Sequence, residues 1–109
     1  MAFDEALVRR VRSRLGHHRD IAEKRMFGGL AFLLNGNMCC GIHQQALIVR
    51  LHPAHADLAL AQPHTRIFDL SGRPMRGWLL VDAAGLDDDS VLAKWLGVAV
   101  DYAGSLPSK

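Results

Sequence analysis

The sequence predicts an α+β fold: a single domain in which an antiparallel β-sheet of about five to six strands carries N-terminal, middle and C-terminal helices. Three observations lead there. Asn35-Gly36 stands between apolar runs, Leu30 to Leu34 and Met38 onward, and Asn-Gly in that setting is a strong hairpin signal because a type I′ turn needs positive φ at both central positions. Leu47, Val49 and Leu51 alternate with Ile48 and Arg50 at the two-residue period of a strand. Near the two termini the apolar spacing becomes helical, with Leu7, Val8, Val11 and Leu15 at one end and Leu92, Trp95, Leu96, Ala99, Tyr102 and Ala103 at the other. Residues 1–109, half of them apolar, are enough for one buried core and too hydrophobic for a disordered chain.

Each element has its own signal. Asp4 caps the first helix, and Gly16 stands where a left-handed C-terminal cap is wanted. Arg9, Arg10, Arg12 and Arg14 fan over the other faces of this helix, with Glu5 supporting Arg9 one turn away. Ile21 to Phe27 reads as a strand, Gly28-Gly29 as a turn or bulge, and Leu30 to Leu34 as a central strand covered on both faces, since it is apolar throughout. Met38 to His43 returns antiparallel, Gln44-Gln45 turns, and Leu47 to Leu51 follows with Arg50 and Ile48 on the face opposite Leu47 and Val49. Pro53 suits the first turn of a short helix over Ala54 to Ala61, which Pro63 closes. Thr65 to Leu70 and Gly77 to Val81 are strands on either side of Ser71-Gly-Arg-Pro74. The last helix runs from about Ser90 to Leu106 behind Asp87-Asp88-Asp89, whose charges complement a helix N-terminus.

Composition narrows the function. Net charge is +2, yet residues 1–25 hold seven Lys/Arg against four Asp/Glu, whereas residues 82–101 hold five Asp against Lys94. That asymmetry can steer a partner but is too weak for autonomous high-affinity DNA binding, which draws on a strongly basic stripe. No apolar run is long enough to cross a membrane and no signal-peptide pattern opens the chain, so a cytoplasmic protein is expected. Cys39 and Cys40 are adjacent, and neighbouring Cα atoms about 3.8 Å apart fall short of the roughly 4.4–6.8 Å of ordinary disulfides, so reduced, buried thiols are expected.

Met38-Cys-Cys-Gly-Ile-His43 invites a metal reading. In a regular strand Cys39 and His43 share a face about 13 Å apart while Cys40 points the other way, so one ion cannot bridge them. No separated carboxylate pair, activated cysteine or phosphate loop emerges, which speaks against an enzyme and against a bound cofactor. Gly28-Gly29 feeds an apolar strand rather than a helix, unlike a phosphate loop. Arg73 and Arg76 flank Pro74-Met75 ahead of Trp78, an arrangement suited to an anionic partner beside an aromatic ring, or alternatively a turn with exposed arginines over a core tryptophan.

Three segments, Met26-Phe-Gly-Gly-Leu30, Asn35-Gly-Asn-Met38 and Gly72-Arg-Pro-Met-Arg-Gly-Trp78, together resemble the TfoX N-terminal domain family, named for a bacterial regulator of natural competence. The resemblance covers nearly the whole chain. It implies a small regulatory protein-interaction module similar to transcriptional co-activators that act with the cAMP receptor protein, and it carries no catalytic residues. The alternative is a small-molecule or nucleic-acid binding domain, which a deep pocket beside Arg50, Arg73 and Trp78 would favour. The candidate binding residues are Lys24, Arg25, Phe27, Gly28, Gly29, Arg50, Arg73, Met75, Arg76 and Trp78. If the segments around Lys24 and Arg73 neighbour one another on the sheet, their basic side chains form one patch beside Trp78 that grips an acidic surface. The apolar arc of the last helix is wider than one sheet contact needs, so a homodimer through Val91, Trp95, Val98 and Tyr102 is expected as well.

Overall fold

In the computed structural model, which describes residues 4–16, 18, 20–26, 28–68 and 77–108, the two ends of the chain are the helices that the spacing predicts. Helix α1 spans Glu5–Leu15 and helix α3 spans Asp89–Ser105. Asp4 caps α1 by accepting the Ala6 N–H at 2.9 Å, and Asp88 caps α3 by accepting the Ser90 N–H at 2.8 Å. Gly16 departs from expectation: at φ −64°, ψ −16° it is right-handed. The chain leaves α1 in the helical sense, with the His18 N–H donating to the Leu15 carbonyl at 3.0 Å, so no left-handed reversal is required.

Between the helices lie strands β1 (Ile21–Met26), β2 (Gly29–Leu34), β3 (Asn37–His43), β4 (Ala46–Arg50), β5 (Thr65–Ile67) and β6 (Trp78–Val81). A 3-10 turn, Pro53–His55, leads into the short helix α2, Ala56–Leu60. The strands form one antiparallel sheet in the order β1-β2-β3-β4-β6-β5. Asn35 at φ 53° and Gly36 at φ 82° make the β2–β3 turn with Leu34 opposite Asn37, the two positive φ values a type I′ turn demands. Expected strand residues Phe27, Asp69 and Leu70 lie outside the described residues, as do residues 71–76.

Helices α1 and α3 cover one face of the sheet. Val11, Leu92, Leu96 and Ala99 pack there on Phe32, Ile42, Leu47, Val49, Leu79 and Val81. A smaller apolar layer, with Ala31, Met38, Ile48, Phe68 and Leu80 buried and Trp78 beside them, lies on the other face. Strand β2 is therefore covered on both sides, as its unbroken apolar run predicts.

One irregularity redirects the chemistry. Phe32 pairs with Cys40, but Leu33 pairs with Met38, so Cys39 is an extra residue in β3. The bulge turns both cysteines toward the helices, where each is fully buried and their sulfurs are 3.7 Å apart. The expectation that Cys40 points away from Cys39 is thus corrected. Downstream of the bulge the alternation is inverted: Ile42 faces the helices and His43 faces Phe68, with ring centroids 6.5 Å apart, so Cys39 and His43 share no face.

Candidate functional site

Arg50 ends a strand that is otherwise apolar, Ala46-Leu-Ile-Val-Arg50. Its direct cross-strand partner on β6 is Trp78. The guanidinium carbon lies 4.9 Å from the Trp78 ring centroid and 5.5 Å from that of Tyr102 on α3, both within cation–π reach. Arg50 Nη1 donates one long hydrogen bond, 3.4 Å, to the Met38 carbonyl, and among the described residues it has no carboxylate partner. His52 extends the cluster: its ring meets Tyr102 edge-on at 5.8 Å, while its Nδ1 accepts the Ala54 N–H and caps the 3-10 turn. A planar cation within reach of two aromatic rings, with most of its donors unused among the described residues, is equipped to take a carboxylate or phosphate in a bidentate pair.

The sequence named Arg50 and Trp78 together only as the surroundings of a pocket that would favour the small-molecule alternative; the β4–β6 pairing makes them neighbours. It missed His52 and assigned Tyr102 elsewhere. No local signal joins residues 50 and 102; the one clue is a lone arginine closing an apolar strand.

Lys24 and Arg25 belong to a different region. They sit on the edge strand β1, which β2, β3 and β4 separate from β6, so four strand spacings of about 4.8 Å put them roughly 19 Å from Trp78. Lys24 pairs with Ala31 and Arg25 with Leu30, which face opposite sides of the sheet, so even these two do not share a face. The single patch expected from the four basic residues therefore does not include the β1 pair. Arg73, Met75, Arg76 and Phe27 lie outside the described residues. Gly28 at φ 72° makes the β1–β2 turn, and a Cβ on Gly29 would run into the Ile42 carbonyl, so these two glycines are accounted for by the backbone.

Two of the four arginines of α1, Arg10 and Arg12, are engaged within the fold. Arg10 donates to Asp89 at 2.8 Å and to the Leu86 carbonyl at 2.6 Å, tying α1 to the start of α3. Arg12 holds Glu23 of β1 through two bonds of 2.7 Å, and that hydrogen bonding keeps the Glu23 carboxyl below its ordinary range.

Two prominent cavities bounded by described residues both lie away from Arg50 and Trp78. A polar one of about 840 Å³ adjoins His43 and the Arg66–Asp82 ion pair. The other, an apolar groove of about 610 Å³, runs between α2 and α3 past Leu58, Val91, Trp95 and Val98. The condition that favours the small-molecule alternative, a pocket beside Arg50 and Trp78, is not met by these two. No group of three or more His, Cys, Asp or Glu side chains gathers as a metal site among the described residues, and none of the described helices is long and apolar enough to cross a membrane. The family model of the TfoX N-terminal domain matches residues 13–103. No curated protein and no solved structure matches the chain.

Proposed function

This chain belongs to the TfoX N-terminal domain family, and from that premise we propose that it is a small cytoplasmic regulatory module that acts by binding another protein, without catalysis and without reading DNA itself. The observation that carries this reading is the Arg50 cluster: a guanidinium stacked on Trp78 and Tyr102 and lacking a carboxylate among the described residues. Trp78 is also the last residue of the Gly72–Trp78 segment that carries the family resemblance, so Arg73 and Arg76 are its near neighbours in sequence. A partner that fits presents an acidic surface, since such a site gains from charge-assisted hydrogen bonds. By the family resemblance, a transcription regulator of the cAMP receptor protein type is the first partner to test.

The test is capture from native cytoplasm with the tagged domain, followed by titration of the purified partner. Arg50→Met keeps an apolar stem against the rings and removes the charge; Arg73→Glu with Arg76→Glu reverses the neighbouring charge. Both variants are expected to fold and to lose the partner, and raised salt is expected to weaken the wild-type complex by screening. Capture that survives both variants and high salt would refute the reading. Duplex DNA is expected not to bind below about 10 μM at physiological salt, the weak side of non-specific affinities.

A further inference from the structure

Helix α3 has a lateral face that the described residues leave exposed at Val91 and Val98, with Trp95 between them partly buried against the core. Val91, Trp95 and Val98 follow i, i+4, i+7 spacing and form one stripe, flanked by Lys94 and Asp101, themselves seven residues apart on the neighbouring stripe. Val91 and Val98 are each 37% exposed, and Leu58 of α2, on the far side of the apolar groove, is 74% exposed. Lys94 and Asp101 are exposed, and among the described residues neither has an ion-pair partner. Tyr102, by contrast, is drawn into the Arg50 cluster.

We infer that this face seats a second copy of the chain, with the two α3 helices antiparallel about a two-fold axis that passes between Gly97 and Val98. The charges select that occupant. With residue numbers across the axis summing to 195, Lys94 meets Asp101 of the other copy and Asp101 meets its Lys94, two reciprocal pairs from one self-complementary stripe. The same register brings Trp95 of one helix within a turn of Val98 of the other, on both sides of the axis. A parallel arrangement sets Lys94 against Lys94 and is disfavoured.

The area reaches the lower bound of what a stable pair needs. A 17-residue helix is about 26 Å long, and the strip from Lys94 and Asp101 across the valines to Leu58 is about two helix widths wide, giving on the order of 500–600 Å² per copy. A specific interface needs roughly 600 Å² or more from each side, near a tenth of the 6269 Å² surface of this chain.

The inference is independent of the partner assigned to Arg50 and is tested apart from it. Light scattering and sedimentation of the purified chain at about 100 μM are expected to show twice the 12.0 kDa chain mass. Lys94→Glu or Asp101→Lys alone turns two attractive pairs into two repulsive ones and is expected to weaken the dimer on the order of tenfold or more. The double swap restores opposite charges across the axis and is expected to restore the dimer, which a merely misfolded variant would not do. Arg50→Met is expected to leave the dimer intact. A strictly monomeric wild type, or single reversals without effect, overturns the inference; capture of another protein on this face by a monomeric chain would assign the groove to that occupant instead.

Discussion

At Cys39 strand β3 holds one residue more than β2 opposite it, and that single insertion decides what both thiols do. A two-residue period read from sequence has no way to register a bulge, so alternation alone assigns the cysteines to opposite faces. In the fold they lie side by side at 0% exposure, and the hydrogen-bonded Cys39 sulfur, together with complete enclosure, holds the Cys40 thiol well above the ordinary thiol range. Both are therefore expected to resist a thiol reagent in the native protein, with labelling that tracks unfolding as denaturant is added. Rapid native labelling would contradict the burial. The β2–β3 turn gives a second test at this scale. Gly36 at φ 82° sits where a β-branched residue is strained, so Gly36→Val is expected to cost about 1 kcal/mol or more. That corresponds to a fall of about 4 °C or more in the thermal midpoint of a domain this size, and an unchanged midpoint would show that the turn tolerates a side chain.

The elements that the sequence made legible are those fixed by neighbours in the chain. Asn35-Gly36 set one hairpin, Asp4 set the start of α1 and the Asp87–Asp89 run that of α3, whereas the one short helix expected over Ala54 to Ala61 is a 3-10 turn at Pro53–His55 followed by α2. What stayed hidden is non-local. Strand order β4-β6-β5 places Trp78 beside Arg50 with β5 on the outside, and nothing near either residue announces that exchange. The ion pairs Arg10–Asp89 and Arg12–Glu23 join separate elements, whereas sequence spacing offers only partners a turn away. Gly29 lies between these cases: Gly28-Gly29 reads as a turn or bulge, but the specific need at Gly29 is the close approach of the Ile42 backbone across β2 and β3. Gly29→Ala is accordingly expected to destabilise by about 1–3 kcal/mol, the usual cost of forcing volume into a packed region. Urea unfolding checks it, and a midpoint equal to the wild type would mean that the two strands part without cost.

Across the whole molecule, hydrogen-bonded carboxylates at the α1–β1 contact, at the β5–β6 edge and at the start of α3 set how the fold responds to acid. Glu23 is held below its ordinary range by its hydrogen bonds from Arg12, Asp82 by those from Arg66, and Asp88 by the Ser90 hydroxyl and backbone N–H that it caps. Each has a lower pKa folded than unfolded, so the folded state binds fewer protons at mildly acid pH. Their stabilisation is then fully present above the unfolded carboxylate range, about pH 4, and is lost as pH falls through the lowered folded values. Urea midpoints are expected to vary little on account of these groups between about pH 5 and 7 and to decline below about pH 4. The acid limb, unlike a general loss of charge balance, belongs to named side chains. Glu23→Gln with Asp82→Asn removes two of the linked titrations, so the variant is expected to start lower at neutral pH and to lose less on acidification. High salt tests the same origin, because exposed pairs are screened and the wild-type limb should shrink toward that of the variant. A double variant whose decline below pH 4 matches the wild type would place the acid response in other carboxylates and leave these pairs as positioning contacts between α1, β1 and the β5–β6 edge.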